Sequence, residues 1–188
     1  GDVYKRQPIH IHISETREEV LKSEEKYGMP PVERLDRIKF FKEKLKTIMA
    51  HCTWITQREV EILGRYGATI AWCPVSSQKL AYGGVTPIPE LREAGATVAL
   101  GTDGTASNNT LDLWREMREG SNVISNDRWD PAVYTANQVL EDTCWSFRKK
   151  FCPESLIKVG NKADIVILDM SVPHLVPVSY THLTLPTN

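Results

Sequence analysis

Residues 8–15 read PIHIHISE, an alternation of isoleucine and histidine that ends on a serine and a glutamate. Alternation with a period of two predicts a β-strand, because successive side chains of a strand point to opposite faces of its sheet. Three more aliphatic runs follow, at Thr47–Ala50, Ala68–Cys73 and Ala96–Gly101. Their starts are separated by roughly 20 to 40 residues, which is the length of a β/α unit with short loops, so we predict a parallel sheet.

Signals for helices lie between these runs. Thr16 with Glu19, and Thr56 with Glu59, form capping boxes, in which the two side chains satisfy amide groups at the start of a helix. The predicted helices are two that begin after Thr16 and Thr56, Val32–Leu45, the short Glu90–Ala94 and a long polar helical region over Leu111–Lys150. A last strand is predicted at Ala163–Met170, and the tryptophans at 72, 114, 129 and 145 are interpreted as core residues rather than a base-stacking platform.

Polar side chains that can bind a metal or carry a proton follow three of the predicted strands. They are His12 and Glu15 after the first strand, His51 after the second and Asp103 after the fourth. In a β/α barrel the carboxyl ends of the strands gather such groups at one face of the molecule. The pattern therefore predicts an α/β fold, half of a β/α barrel with an additional C-terminal strand, and metal-assisted chemistry on a small molecule.

His12 and Glu15 form the first candidate pair. An imidazole that binds a cation beside a carboxylate that carries protons is what metal-assisted hydrolysis needs. The alternative is that Glu15 is a solvated glutamate that favours the start of a helix. His10 shares a strand face with His12, so it is a second ligand, a wall of the pocket or a core histidine.

His51 and Asp103 are the other candidates. His51 lies at the tip of a strand, where a lone histidine also occurs for structural reasons. Asp103 follows a buried strand in the turn GTDG, and burial of an unpaired carboxylate is costly unless a metal or a cationic imidazole compensates for it. The alternative for Asp103 is an Asx turn, in which it bonds its own loop.

Composition narrows the functional classes. The 188 residues carry a formal net charge of -1 and are 41% hydrophobic, so there is no electrostatic case for a nucleic-acid or membrane partner. No apolar run approaches the roughly 20 residues of a membrane span, and no signal peptide is recognised. Four cysteines without paired spacing favour a reducing cytoplasm, although a ligand role for Cys52 or Cys73 stays open.

The two ends differ in character from the rest of the chain. Residues 1–7 (GDVYKRQ) and 178–188 (VSYTHLTLPTN) continue no neighbouring pattern, and we interpret both as non-native tails of the adapter type. Tyr180 and His182 are accordingly assigned no function. The sequence between the tails is interpreted as an internal piece of a longer protein.

Several segments together resemble one enzyme family. They are residues 12–16 (HISET), 50–52 (AHC), 73–81 (CPVSSQKLA), 100–104 (LGTDG) with 107–109 (SNN), and 159–166 (VGNKADIV). The pattern resembles the metal-dependent amidohydrolase superfamily and, within it, the deaminases of 5'-methylthioadenosine and S-adenosylhomocysteine, over nearly all of residues 8–177. Ser77 departs from the asparagine that is common at this position.

The resemblance implies a fold and its limits in this chain. Residues 8–155 would be strands 5 to 8 of a TIM (β/α)8 barrel with their helices, that is, its C-terminal half. Residues 156–177 would be a strand of a small flanking β domain. The resemblance also implies a nucleoside substrate and a homo-oligomer of the full-length protein as the possible partners.

The resemblance also implies roles for the candidate residues. His12 and Asp103 would bind one divalent cation, zinc or alternatively iron. His51 would orient the attacking water, Glu15 would carry a proton to the ring nitrogen and contact the base, and Asp103 would take a proton from the water and contact the substrate. Because the family's first-strand His-x-His pair is not in this chain, we expect the chain alone to bind metal weakly and to be inactive.

Other functions remain as alternatives. One keeps the superfamily but changes the substrate to guanine, cytosine or a triazine, the last with amino or chloro leaving groups. Another is a non-catalytic barrel relative that acts as a binding or assembly module. A DNA-binding or signalling domain is the weakest alternative, because the net charge is nearly neutral.

Overall fold

The structure, a computed structural model, describes residues 7–41 and 46–172. Four parallel strands form one sheet in the order of the sequence: β1 (Ile9–Ile13), β2 (Thr47–His51), β3 (Thr69–Trp72) and β4 (Thr97–Leu100). All four predicted barrel strands are thus confirmed within one or two residues at their ends. Because the strands are parallel, their carboxyl ends lie along the same edge of the sheet.

Nine helices of the described residues surround or follow these strands. They are α1 (Arg17–Tyr27), α2 (Pro31–Arg37), α3 (Gln57–Arg65), α4 (Pro74–Lys79), α5 (Ile88–Glu93), α6 (Thr105–Asn108), α7 (Leu113–Arg128), α8 (Ala136–Cys144) and α9 (Ser146–Phe151). The alternation of strand and helix confirms the predicted α/β class. None of the helices in the described part is long and apolar enough to cross a membrane.

The two predicted capping residues begin their helices by different means. At Thr56 the capping box is complete, because Thr56 accepts from the Glu59 amide and Glu59 accepts from the Thr56 amide. At Thr16 only half of the box forms. Thr16 accepts from the Glu19 amide, but the Glu19 carboxylate reaches further back, to the amides of Ser14 and Glu15.

One predicted helix is wrong in extent, and one predicted helical region is confirmed but divided. The helix predicted over Val32–Leu45 ends at Arg37, because Lys39 adopts a left-handed backbone (φ 59°) that closes the last turn. Residues 42–45 of that prediction lie outside the described residues. The region predicted as helical over Leu111–Lys150 contains three helices: α7 ends before Trp129 (φ 55°), α8 begins at the complete capping box of Thr135, and Trp145 separates α8 from α9.

The core lies between the sheet and its helices. Buried aliphatic side chains from β2, β3, β4, α3 and α5 make up most of it, as expected for a parallel sheet covered by helices. Trp72 is fully buried, and α7 approaches it so closely at Gly120 that a Cβ there would lie 2.9 Å from the indole ring. The core assignment is wrong for Trp114 and Trp129, which are exposed.

The chain divides into two compact units, one up to Pro153 and one from Glu154 onward. In the second unit the predicted strand Ala163–Met170 is not formed: these residues have no regular secondary structure, and their side chains are exposed. A strand needs a neighbouring strand for its backbone groups, and the sheet of the described residues contains only β1 to β4, without this segment. Assignment of the second unit to a flanking β domain stays a prediction, and residues 1–6 and 173–188, with most of the proposed tails, lie outside the described residues.

Candidate active site

His12, Glu15 and His51 meet at the carboxyl ends of β1 and β2. Glu15 lies between the two imidazoles: its carboxylate oxygens are 3.8 Å from His12 Nδ1 and 3.4 Å from His51 Nε2. The His12 and His51 rings meet edge to face with their centroids 4.8 Å apart. The register of the sheet brings this about, because Ile13, the last residue of β1, pairs with His51, the last residue of β2.

The backbone at the strand ends is unusual. Ser14, His51, Cys52 and Asp103 all have a left-handed backbone, with φ between 50° and 72°. Glu19 holds the first of these turns, since each of its carboxylate oxygens accepts a 2.9 Å hydrogen bond from the amide of Ser14 or Glu15. Helix α1 therefore fixes the backbone of Glu15 directly.

His51 is wholly buried, and neither of its ring nitrogens has a hydrogen-bond partner among the described residues. Burial lowers the pKa of His51 below its ordinary value and outweighs the opposing effect of the Glu15 charge. The imidazole is therefore neutral at neutral pH, with one nitrogen free to accept and the other free to donate. A buried polar group without a partner is costly, so these nitrogens indicate a site built for a ligand or a water.

Asp103 follows β4 and is held by its own loop and by α4. Its Oδ2 accepts a 2.6 Å hydrogen bond from the Ser76 hydroxyl, and its Oδ1 accepts a 2.8 Å bond from the Gly104 amide. Burial alone would raise the pKa of Asp103, but the hydrogen bonds from Ser76, Gly104 and Ser107 outweigh burial and lower the pKa. The bond to Gly104 confirms that Asp103 bonds its own loop, although the amide belongs to the next residue and not to the second one on, as in an Asx turn. The role of Asp103 as a metal ligand stays a prediction.

The cluster of possible cation ligands among the described residues contains His12, Glu15 and His51, with ligand atoms within 4.8 Å of one another. Asp103 is not a member, although its negative charge acts on His51. The donor set fits a divalent cation, because imidazole nitrogens and carboxylate oxygens are the usual ligands of zinc and the His51 nitrogens have no other partner. The specific pairing of His12 with Asp103 stays a prediction.

His10 and the cysteines lie beside the site without joining it. His10 is exposed, with its ring centroid 6.5 Å from that of His12, so it is not a core histidine in this structure. Cys52 and Cys73 are free and buried. Burial raises the pKa of Cys73 to about 12, and it raises the pKa of Cys52 further, so neither thiol readily forms the thiolate that a metal ligand requires.

Tyr82 belongs to the site, and sequence reasoning missed it. Its ring meets that of His51 edge to face at 6.2 Å, and Trp54 Nε1 donates to its carbonyl at 2.9 Å. Burial, and then a hydrogen bond to the charged Glu15, raises the pKa of the Tyr82 hydroxyl. Tyr82 lies in the loop after α4, where no periodicity marks it, so only the contact itself identifies it.

Comparison with known proteins agrees with this geometry. The family model described as "Amidohydrolase family" matches residues 4–186. A 5-methylthioadenosine/S-adenosylhomocysteine deaminase from Pyrococcus furiosus is 39% identical over 92% of this chain and 41% of its own length. A 5'-deoxyadenosine deaminase from Methanosarcina mazei is also 39% identical, over 90% of this chain and 39% of its own.

A solved structure extends the likeness to three dimensions. The crystal structure of an adenosine deaminase from Xanthomonas campestris with bound zinc superposes with a TM-score of 0.84 at 32% identity. The match covers 93% of this chain and 40% of that one, so the chain spans about two fifths of the length of the relatives it matches.

A parallel sheet whose carboxyl ends gather two histidines and a carboxylate is typical of the β/α-barrel class of proteins. Within that class, the chain belongs to the amidohydrolase family. The expectation from the sequence motifs is thereby confirmed for the family and for the barrel.

Proposed function

We propose that the full-length protein is a metal-dependent hydrolytic deaminase of adenosine-type nucleosides, of the class of 5'-methylthioadenosine, S-adenosylhomocysteine and 5'-deoxyadenosine. The observation that carries the proposal is the position of Glu15 between His12 and the unpartnered, buried His51. The names of the two relatives at 39% identity support the substrate class.

The reaction replaces the amino group of the purine ring with oxygen. Water adds to the amino-bearing carbon with formation of a C–O bond, the adjacent ring nitrogen takes up a proton, the C–N bond breaks and ammonia leaves. In this proposal Glu15 delivers the proton to the ring nitrogen and contacts the base. His51 orients the attacking water through a free ring nitrogen, which its neutral state allows. Asp103 receives a proton from the water, passes it to the leaving amino group so that ammonia departs, and contacts the substrate.

His12 and Asp103 would hold the cation, which we propose to be zinc, with iron as the alternative. Held by these residues, a divalent cation would supply hydroxide near neutral pH, because it would lower the pKa of water. The exposure of His12, whose side chain is 58% accessible, supports the expectation that this chain alone binds metal weakly and does not turn over substrate. A cytoplasmic location, a homo-oligomeric full-length protein and the absence of nucleic-acid and membrane partners belong to the same proposal.

Ammonia release by the full-length protein tests the proposal. The substrates are 5'-methylthioadenosine, S-adenosylhomocysteine, 5'-deoxyadenosine, guanine, cytosine and an amino-triazine, and we expect turnover of the adenosine derivatives. Glu15→Gln should lower kcat by at least about 100-fold, because it removes a proton carrier. The matched control is Glu18→Gln, since Glu18 is an exposed residue of α1 that pairs with Lys22. Turnover confined to guanine, cytosine or the triazine, or full activity of Glu15→Gln, would overturn the proposal.

A further inference from the structure

Glu116, in the first turns of α7, is fully buried and contacts two segments far from it in sequence. Its Oε2 accepts a 3.0 Å hydrogen bond from the amide of Val75, at the start of α4. Its Oε1 accepts from the side-chain amide of Asn108, at the end of α6. Both carboxylate oxygens are thus engaged by N–H donors.

Each of these contacts continues to Asp103. The Asn108 amide group uses its second hydrogen to bond the Thr102 carbonyl at 2.6 Å, which fixes the backbone immediately before Asp103. Val75 precedes Ser76, whose hydroxyl holds Asp103 Oδ2 at 2.6 Å. The buried Glu116 carboxylate therefore fixes two parts of the structure around Asp103. One is the backbone at Thr102, and the other is Val75, the neighbour of the Ser76 that orients the Asp103 carboxylate.

We infer that Glu116 is the positioning residue for Asp103, and that Asn108 and the start of α4 transmit its effect. The inference rests on the proposed function for the role of Asp103, but the position of the loop over residues 102–104 can be measured without it. The hydrogen bonds of Glu116 go to Val75 and Asn108 and not to His12, Glu15 or His51. Any effect of Glu116 on the site therefore passes through other residues.

The chemistry of the contacts requires a carboxylate at this position. A carboxylate accepts at both oxygens and carries no hydrogen of its own, whereas a glutamine amide would turn an NH₂ group toward either the Val75 amide or Asn108. Aspartate is shorter by one methylene and cannot reach both donors. Glu116→Gln consequently breaks one of the two connections while it preserves the volume of the side chain.

Glu59 provides a matched control. It is also a fully buried glutamate with two N–H donors, which in its case are the backbone amides of Thr56 and Val32, at 2.8 Å each. Its contacts lie in α2 and α3 and do not include Asp103 or its loop. Glu59→Gln should therefore cost similar stability and leave the loop over residues 102–104 unchanged.

The test uses the full-length protein as wild type, Glu116→Gln and Glu59→Gln. For Glu116→Gln we expect faster hydrogen exchange at the amides of residues 102–104, zinc affinity lowered by about 10-fold to 100-fold, and a similar fall in kcat with little change in KM. Zinc affinity is measured by competition with a chromophoric chelator. Glu59→Gln should show none of these changes.

Two outcomes overturn the inference. In the first, hydrogen exchange at residues 102–104 and zinc affinity are unchanged in Glu116→Gln. In the second, both change equally in Glu59→Gln, which would indicate general destabilisation. If Glu116→Gln does not fold, Asn108→Asp decides, because it replaces the bridging amide hydrogens by an oxygen of the same shape. Loss of the exchange protection without any wild-type deamination would refute the proposed function and leave the positioning role standing.

Discussion

The loops that follow β1 and β4 are each held by the carboxylate of a glutamate, but the two glutamates differ in how far away in the sequence their partners lie. The turn at Ser14 and Glu15 is fixed by Glu19, which lies four or five residues away. The turn before Asp103 is fixed through Glu116, which also bonds Val75, 41 residues earlier in the sequence. Both arrangements use a carboxylate to satisfy amide groups near a chemically important side chain. The first needs only α1, whereas the second needs α4, α6 and α7 to have packed.

Glu59 lies between these cases. One of its oxygens bonds Thr56, three residues away, and the other bonds the amide of Val32, 27 residues away. It therefore combines a local helix cap with a long-range contact that joins α3 to α2. The three glutamates form a series in which the sequence separation of the more distant partner increases, from 5 residues for Glu19 to 27 for Glu59 and 41 for Glu116.

The largest expected effect is that of Glu116→Ala on the stability of the fold. Removal of the carboxylate leaves the Val75 amide and the Asn108 side chain buried without their acceptor, which should lower the free energy of unfolding by about 3 kcal/mol. Urea unfolding followed by tryptophan fluorescence measures it. Glu119→Ala, a partly exposed residue of the same helix, is the control. If Glu116→Ala and Glu119→Ala lower the free energy of unfolding equally, the long-range contacts of Glu116 do not stabilise the fold as the comparison requires.

A smaller loss is expected for Glu19→Ala, about 1.5 kcal/mol, because Glu15 is partly exposed and water can replace the carboxylate at its amide, so that only the buried Ser14 amide loses its acceptor. The same urea titration applies, with Glu24→Ala, an exposed glutamate of α1, as its control. A loss larger than that of Glu116→Ala would show that the local contact is the stronger one and reverse the comparison.

The smallest effect concerns pH and tests Glu59. Burial, against the opposing hydrogen bonds from Thr56 and Val32, raises the pKa of Glu59 above 4.5 in the folded protein. The folded state then binds the proton more tightly than the unfolded state, so the contribution of Glu59 is complete below pH 4.5 and is lost as pH rises through the folded pKa.

The difference in unfolding free energy between wild type and Glu59→Gln should therefore decrease with rising pH across that window, by less than about 1.4 kcal/mol per pH unit. Denaturation curves at a series of pH values measure this difference, and Glu61→Gln, an exposed residue of α3, is the control. A difference that grows with pH would mean that the contacts from Thr56 and Val32 dominate over burial.

The same division between local and distant contacts explains what the sequence could predict. The β-strands and the helix starts at Thr16 and Thr56 follow from periodicity and capping within a few residues, and all were predicted. The meeting of His12, Glu15 and His51 followed from parallel strand ends. The parts that were missed depend on packing: the end of α2 at Lys39, the contact of Tyr82 with His51, and the role of Glu116. Ala163–Met170 has the composition of a strand, but composition cannot supply its partner.

The left-handed backbone at Ser14, His51, Cys52 and Asp103 has a cost that glycine would not incur. At order 1–3 kcal/mol for each such residue, the most stable sequence for these turns would be rich in glycine and chemically inert. Selection for thermal stability in a library of this chain should therefore enrich glycine at these four positions, which include His51 and Asp103, two residues with proposed catalytic roles. Engineering of thermal stability in this protein should therefore leave these four positions unchanged and introduce stabilising substitutions at other positions.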